Sequence, residues 1–67
     1  MIWSKIIIEI RNKKFLTQAE FAHILGVSFA TVNRWENNKF EPSMKEKRKI
    51  KEFCDKNKIK IGGLEND

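Results

Sequence analysis

Asn33, Arg34 and Asn37 place three forked or paired hydrogen-bonding side chains within little more than one helical turn of one another. A guanidinium offers its N–H donors in a fixed planar fork, and a primary amide offers a donor beside an acceptor, so each can engage two atoms of a flat polar edge at once. Guanine O6 and N7 are such an edge for Arg34. Adenine is one for Asn33, which could instead hold a phosphate. Phe29, Ala30 and the Thr31 methyl are suited to thymine methyl groups, while Gln18, Ser28, Asn37 and Lys39 carry groups that bond phosphate oxygens. No comparable set exists for making or breaking bonds. His23 has no Cys, Asp or Ser partner near it in sequence and reads as a solvated histidine. Cys54 falls on an apolar line and reads as core, where a thiol is inert. Gly62-Gly63 lacks the lysine and hydroxyl that follow in a phosphate-binding loop. With one cysteine and one histidine in the chain, neither a disulfide nor a structural zinc site is expected. The expectation is no enzyme, no metal and no cofactor.

The elements that would carry these residues read as helices. No segment alternates apolar and polar residues long enough for a buried strand, and Pro42 is the only proline. Trp3, Ile6, Ile7 and Ile10 form one stripe, predicting a helix over about Ile2 to Lys13. Thr17 can cap a second helix, about Gln18 to Leu25, with Glu20 completing a capping box and Leu16 stapling against Phe21. Gly26 ends it, because the residue past a helix often needs positive φ. Ser28 caps a third helix, about Phe29 to Asn37, anchored by Val32 and Trp35 and closed by Asn37-Asn38. Pro42 and Ser43 open a fourth, with Glu46 completing the box and an apolar line of Met44, Ile50, Phe53 and Cys54. From Ile59 the helical pattern is lost and the tail is expected to fray. The fold class is all-α, a compact bundle of four or five short helices, with a domain over 1–58 and a tail over 59–67.

Two short helices joined by a tight glycine turn, the second amphipathic with a polar outer face, describe a helix-turn-helix at about residues 18–37. Counting Gln18 as the first position, Ala22 is fifth, Gly26 ninth, Val32 fifteenth and Trp35 eighteenth. Each slot has a physical demand: a small residue where the helices touch, glycine at the turn, and two apolar anchors. At about 100° per residue the core direction of the third helix lies between Val32 and Trp35. Ala30, Asn33, Arg34 and Asn37 then face outward, with Phe29 and Thr31 on the flanks.

Size and charge agree with a binding module. A 67-residue chain holds one domain, and a domain that small buries only about 60 % of its unfolded surface, leaving little from which to carve a deep substrate cleft. The net charge is +5 and unevenly spread: residues 43–60 carry eight basic and three acidic groups, residues 1–42 six and four, and residues 61–67 two acids. Such asymmetry attracts polyanions. The run Lys45, Lys47, Arg48, Lys49 and Lys51 wraps around its helix and reads as solubility and long-range attraction. Trp3, Trp35, Phe21 and Phe53 read as core, not as a stacking platform for single strands. No apolar run approaches the roughly 20 residues that cross a bilayer, nor is there the long apolar stretch of a secretory signal. A cytoplasmic location without membrane contact is expected.

The segments Leu16-Thr-Gln-Ala-Glu-Phe-Ala, Leu25-Gly-Val-Ser, Val32-Asn-Arg-Trp-Glu-Asn and Pro42-Ser43 closely resemble the phage-repressor-like (Cro-type, XRE) helix-turn-helix family of DNA-binding regulators. The likeness covers about residues 6–54. It implies a lambda-repressor-like domain in which the third helix enters the major groove and Gln18 holds a phosphate from the start of the second. It further implies an ion pair between Arg11 and Glu36. Asn38 stands where the family usually has glycine, and Phe29 and Ala30 where many members carry longer polar base readers. The expected function is sequence-specific binding of double-stranded DNA by a prokaryotic or phage-encoded regulator of repressor, restriction-modification controller or antitoxin type. A weak homodimer, or a monomer that dimerises on a palindromic operator, is expected, with the C-terminal tail and the exposed edge of the fourth helix as the contact. The tail's Ile59, Ile61 and Leu64, together with Met1 and Phe40, are the apolar residues left over for it. Against this stands a disordered end over residues 59–67, in a protein that works as a monomer beside another subunit; a toxin is a further partner for an antitoxin. The alternative is a helix-turn-helix used for protein–protein interaction, with Phe29 and Phe40 as its contact patch.

Overall fold

A computed structural model describes residues 2–61 as four helices, α1 (Ile2–Lys13), α2 (Gln18–Leu25), α3 (Phe29–Glu36) and α4 (Met44–Lys56), with no strand among the described residues. Three of the four begin as local chemistry dictates. The Thr17 and Ser43 hydroxyls accept from the backbone N–H groups of Glu20 and Glu46, whose carboxylates accept from the cap N–H groups in return, closing two capping boxes. Ser28 caps α3 by accepting from the Thr31 N–H at 3.1 Å. Asn37 caps the end of α3, whose last helical residue is Glu36.

All four helices end in the same way. Phe15, Gly26, Asn38 and Lys58 have φ of 56°, 72°, 62° and 56°. In each case the following N–H reaches back to a carbonyl five residues earlier: Leu16 to Arg11, Val27 to Ala22, Lys39 to Arg34 and Ile59 to Cys54. This is the Schellman closure, which satisfies carbonyls that a helix end leaves open. Only Gly26 uses glycine for it.

The core gathers Ile6, Ile7 and Ile10 from α1, Phe21, Ala22 and Leu25 from α2, Val32 and Trp35 from α3, and Ile50 and Cys54 from α4. Phe21 and Phe53 meet edge to face with ring centroids 5.7 Å apart. Trp3, Leu16, Val27 and Ile59 pack around this cluster. Helix α3 packs against both α1 and α2, and α4 against α2, so two helices directly support the one that carries the candidate readers and α4 backs α2.

Three apolar residues, Met44, Ile59 and Ile61, lie elsewhere than expected. Met44 is 65 % exposed, because at about 100° per residue it sits about 120° around α4 from Ile50 and so off the apolar line. Ile61, expected to be left over for contact with a second copy, is 3 % exposed and part of the core. The reversal at Lys58 turns the chain back from the end of α4 and lays Ile59 and Ile61 against the body. Met1 and Leu64, the other terminal residues assigned to contact, lie outside the described residues, as do Gly62-Gly63 and the rest of the tail.

The basic run on α4 is partly consumed within the fold. Lys47 pairs with Glu41 and lies over the Trp3 ring, 5.3 Å from its centroid. Lys49 donates to the Leu25 carbonyl at 3.3 Å, a cation at the C-terminal end of α2. Lys51 lies 3.6 Å from Asp55. No helix of the described residues is long and apolar enough to cross a membrane.

Candidate nucleic-acid interface

The outer face of α3 and the starts of α2 and α3 form one continuous polar surface. Phe29, Ala30, Arg34, Asn37 and Lys39 are exposed; Gln18, Thr31 and Asn33 are half-buried. Ser28 is exposed but engaged, since its hydroxyl caps α3 and lies 2.9 Å from the Thr31 hydroxyl. That contact occupies the polar side of Thr31.

Beneath this surface lies a bidentate ion pair joining α1 to α3. Arg11 Nε donates to Glu36 Oε2 at 2.7 Å and Arg11 Nη2 to Glu36 Oε1 at 2.9 Å. Arg11 Nη1 donates in addition to the Leu16 carbonyl at 2.9 Å, tying in the α1–α2 turn. The side chains are 20 % and 7 % exposed, so the pair is largely withdrawn from water. The hydrogen bond with Glu36 raises the Arg11 proton affinity above its ordinary value, against the opposing effect of burial. The guanidinium therefore stays charged throughout the working pH range.

The ion pair continues outward as a chain of amides. Gln18 Nε2 donates to Glu36 Oε1 at 2.9 Å, Asn33 Nδ2 to Gln18 Oε1 at 3.2 Å, and Asn37 Nδ2 to Asn33 Oδ1 at 3.1 Å and to the Asn33 carbonyl at 2.9 Å. An ionised carboxylate only accepts, so Gln18 must turn its NH2 toward Glu36 and its oxygen toward Asn33. Asn33 must then turn its NH2 toward Gln18 and its oxygen toward Asn37. One buried charge thereby sets the orientation of three amides at the surface. Sequence reading assigned Gln18, Asn33 and Asn37 separate roles; their joining into one chain has no sequence signature, because Gln18 and Asn33 come from different helices.

Arg34 lies outside this chain. Its guanidinium stands over the Phe40 ring, 5.8 Å from the centroid, a contact that sequence reading did not foresee. His23 is exposed on α2. Cys54 is buried, and burial raises its thiol pKa, with Asp55 adding to that effect and Lys51 opposing it. No cluster of metal-ligating side chains occurs among the described residues.

A surface of forked donors and amides on one short helix, braced from behind by a second helix across a glycine turn, matches the docking element of a helix-turn-helix. Searches of curated proteins and of solved structures returned no match for this chain. The helix-turn-helix family model, by contrast, matches residues 7–58, from the core stripe of α1 to the reversal after α4. The chain belongs to the XRE-type helix-turn-helix family of DNA-binding domains.

Proposed function

We propose that this protein is a sequence-specific regulator that lays α3 in the major groove of duplex DNA. The observation that carries the reading is the outward face of α3, where Arg34 is exposed and Asn33 is held in a fixed orientation by the chain of amides. Arg34 reads guanine, Asn33 reads adenine or seats a phosphate, and Phe29, Ala30 and Thr31 line the groove against thymine methyls. Gln18, Ser28 and Lys39 set the register on the phosphates, whereas the two side-chain N–H groups of Asn37 are spent on Asn33, so Asn37 serves by orienting Asn33. Gln18 keeps one amide N–H beyond the bond to Glu36 for that purpose.

Occupying an operator is the mode of action this supports, in a repressor, a restriction-modification controller or an antitoxin inside a prokaryotic or phage-infected cell. One α3 reads a half-site, so two copies meeting on a palindromic operator, with recognition helices about 34 to 36 Å apart, complete the assembly. Ile61 is committed to the core, which leaves the exposed edge of α4 as the contact between copies. The exposed Phe29 favours a second reading, a protein-binding face; binding of duplex DNA decides between them.

Fluorescence anisotropy with duplexes selected from a random pool tests the reading. Binding should weaken with salt at about 0.9 per phosphate contact in log K against log salt, for on the order of two to four contacts per protomer. Arg34→Ala should cost about 1 to 3 kcal/mol on the selected site and relax choice at one base pair, whereas Lys39→Ala should weaken all sequences alike. Salt-independent affinity, or none at low salt, removes DNA as the partner; equal losses from both variants on selected and random DNA refute the assigned roles.

A further inference from the structure

The ring of Phe40 is 57 % exposed, and what sets it apart from other exposed aromatics is the Arg34 guanidinium standing over it. Asn38 at φ 62° reverses the chain at the end of α3, and the Lys39 N–H bonds back to the carbonyl of Arg34 at 2.9 Å. The residue that follows, Phe40, is thereby returned alongside Arg34, and its ring lies 5.8 Å from the guanidinium carbon. On the far side, Glu41 pairs with Lys47 of α4 and Pro42 is buried, so the segment is held at both ends. The backbone that carries Phe40 is thus held on both sides, while the Arg34 side chain is exposed and has several rotatable bonds.

We infer that Phe40 is a positioning residue for base reading: its ring face receives the Arg34 guanidinium and holds the fork in the orientation it presents to the groove. A guanidinium within about 6 Å of a ring centroid is attracted to the aromatic face, and stacking leaves the edge of the fork, with its N–H donors, free to bond in plane. A flexible arginine must otherwise be ordered when it meets its base, and that ordering opposes binding at the read position alone. The inference rests on the DNA-binding reading above and adds a residue outside α3 to the determinants of specificity.

The test compares Phe40→Leu and Phe40→Trp with the wild-type chain. Without DNA, nuclear magnetic resonance should show the Arg34 side-chain protons shifted upfield by the ring in the wild-type and Trp proteins and unshifted in the Leu protein. Thermal melting checks that each variant is folded. With DNA, Phe40→Leu should lose about two- to fivefold of the preference at the same base pair that Arg34→Ala relaxes, the magnitude expected of an exposed cation–ring contact. Affinity for random duplex and the salt slope should stay unchanged, Phe40→Trp should keep the preference, and Phe40→Leu added to Arg34→Ala should lose nothing more. Loss by Phe40→Leu of affinity for every sequence alike, or of none, overturns the inference while leaving the DNA reading standing. Failure of the wild-type chain to bind any duplex overturns both.

Discussion

Phe15 is unfavourably placed twice over: its ring is 92 % exposed and its backbone is left-handed at φ 56°. A β-carbon in that region costs about 1 to 2 kcal/mol, and glycine avoids the clash at some cost in chain entropy. Phe15→Gly should therefore raise stability by about 0.5 to 1 kcal/mol, or several degrees in Tm for a domain of this size. Gly26→Ala should do the reverse and lower it by about 1 to 2 kcal/mol, since φ is 72° there although space for the methyl exists, with Lys49 Nζ at 3.7 Å from the added carbon. Urea unfolding of the two variants checks both signs; a gain from Gly26→Ala or a loss from Phe15→Gly would show that side-chain contacts outweigh backbone strain. Gly26 and Asn38 announce such a position by their residue type. Phe15 and Lys58 do not, which is why two of the four reversals were invisible in the sequence, and with them the return of Ile59 and Ile61 to the core.

Among the elements, α1, the α1–α2 turn, α2 and α3 converge on the Arg11–Glu36 pair. Removing one member leaves the other charged with most of its surface withdrawn from water, a situation that costs about 3 to 5 kcal/mol when burial is complete. Arg11→Met should accordingly cost about 3 kcal/mol, and Glu36→Leu a similar amount, while the double variant costs less than either. Urea unfolding of the four proteins completes the cycle; additive, near-zero effects would mean that the pair is solvated in practice. The helix limits themselves were readable because their signals are local: Thr17 with Glu20, Ser43 with Glu46, and the stripe from Trp3 to Ile10 each lie within one or two turns. Met44 is apolar but opens α4, where a residue can lie off the stripe and still be helical, so its type alone does not place it in the core. The outward face of α3 was readable from Val32 and Trp35 alone. The chain of amides and the Arg34–Phe40 contact were not, because each depends on residues brought together by packing or by a chain reversal.

For the molecule as a whole, all four helices and Ile61 contribute to one core, and Cys54 is the sole thiol, 3 % exposed within it. A reagent that alkylates thiolates can reach Cys54 only when the fold opens, and its rate then follows the population of open molecules as long as reclosing outpaces labelling. Any ligand that binds the closed form alone lowers that population by the factor 1 + [L]/Kd. The chain thus carries an internal gauge of its own occupancy. Duplex present at about one hundred times Kd should slow the modification of Cys54 about a hundredfold, with no dye, tag or added residue on the DNA-facing surface. Unchanged labelling in the presence of a duplex that anisotropy reports as bound would show that the thiol is reached through a local opening, independent of the helices that hold the DNA.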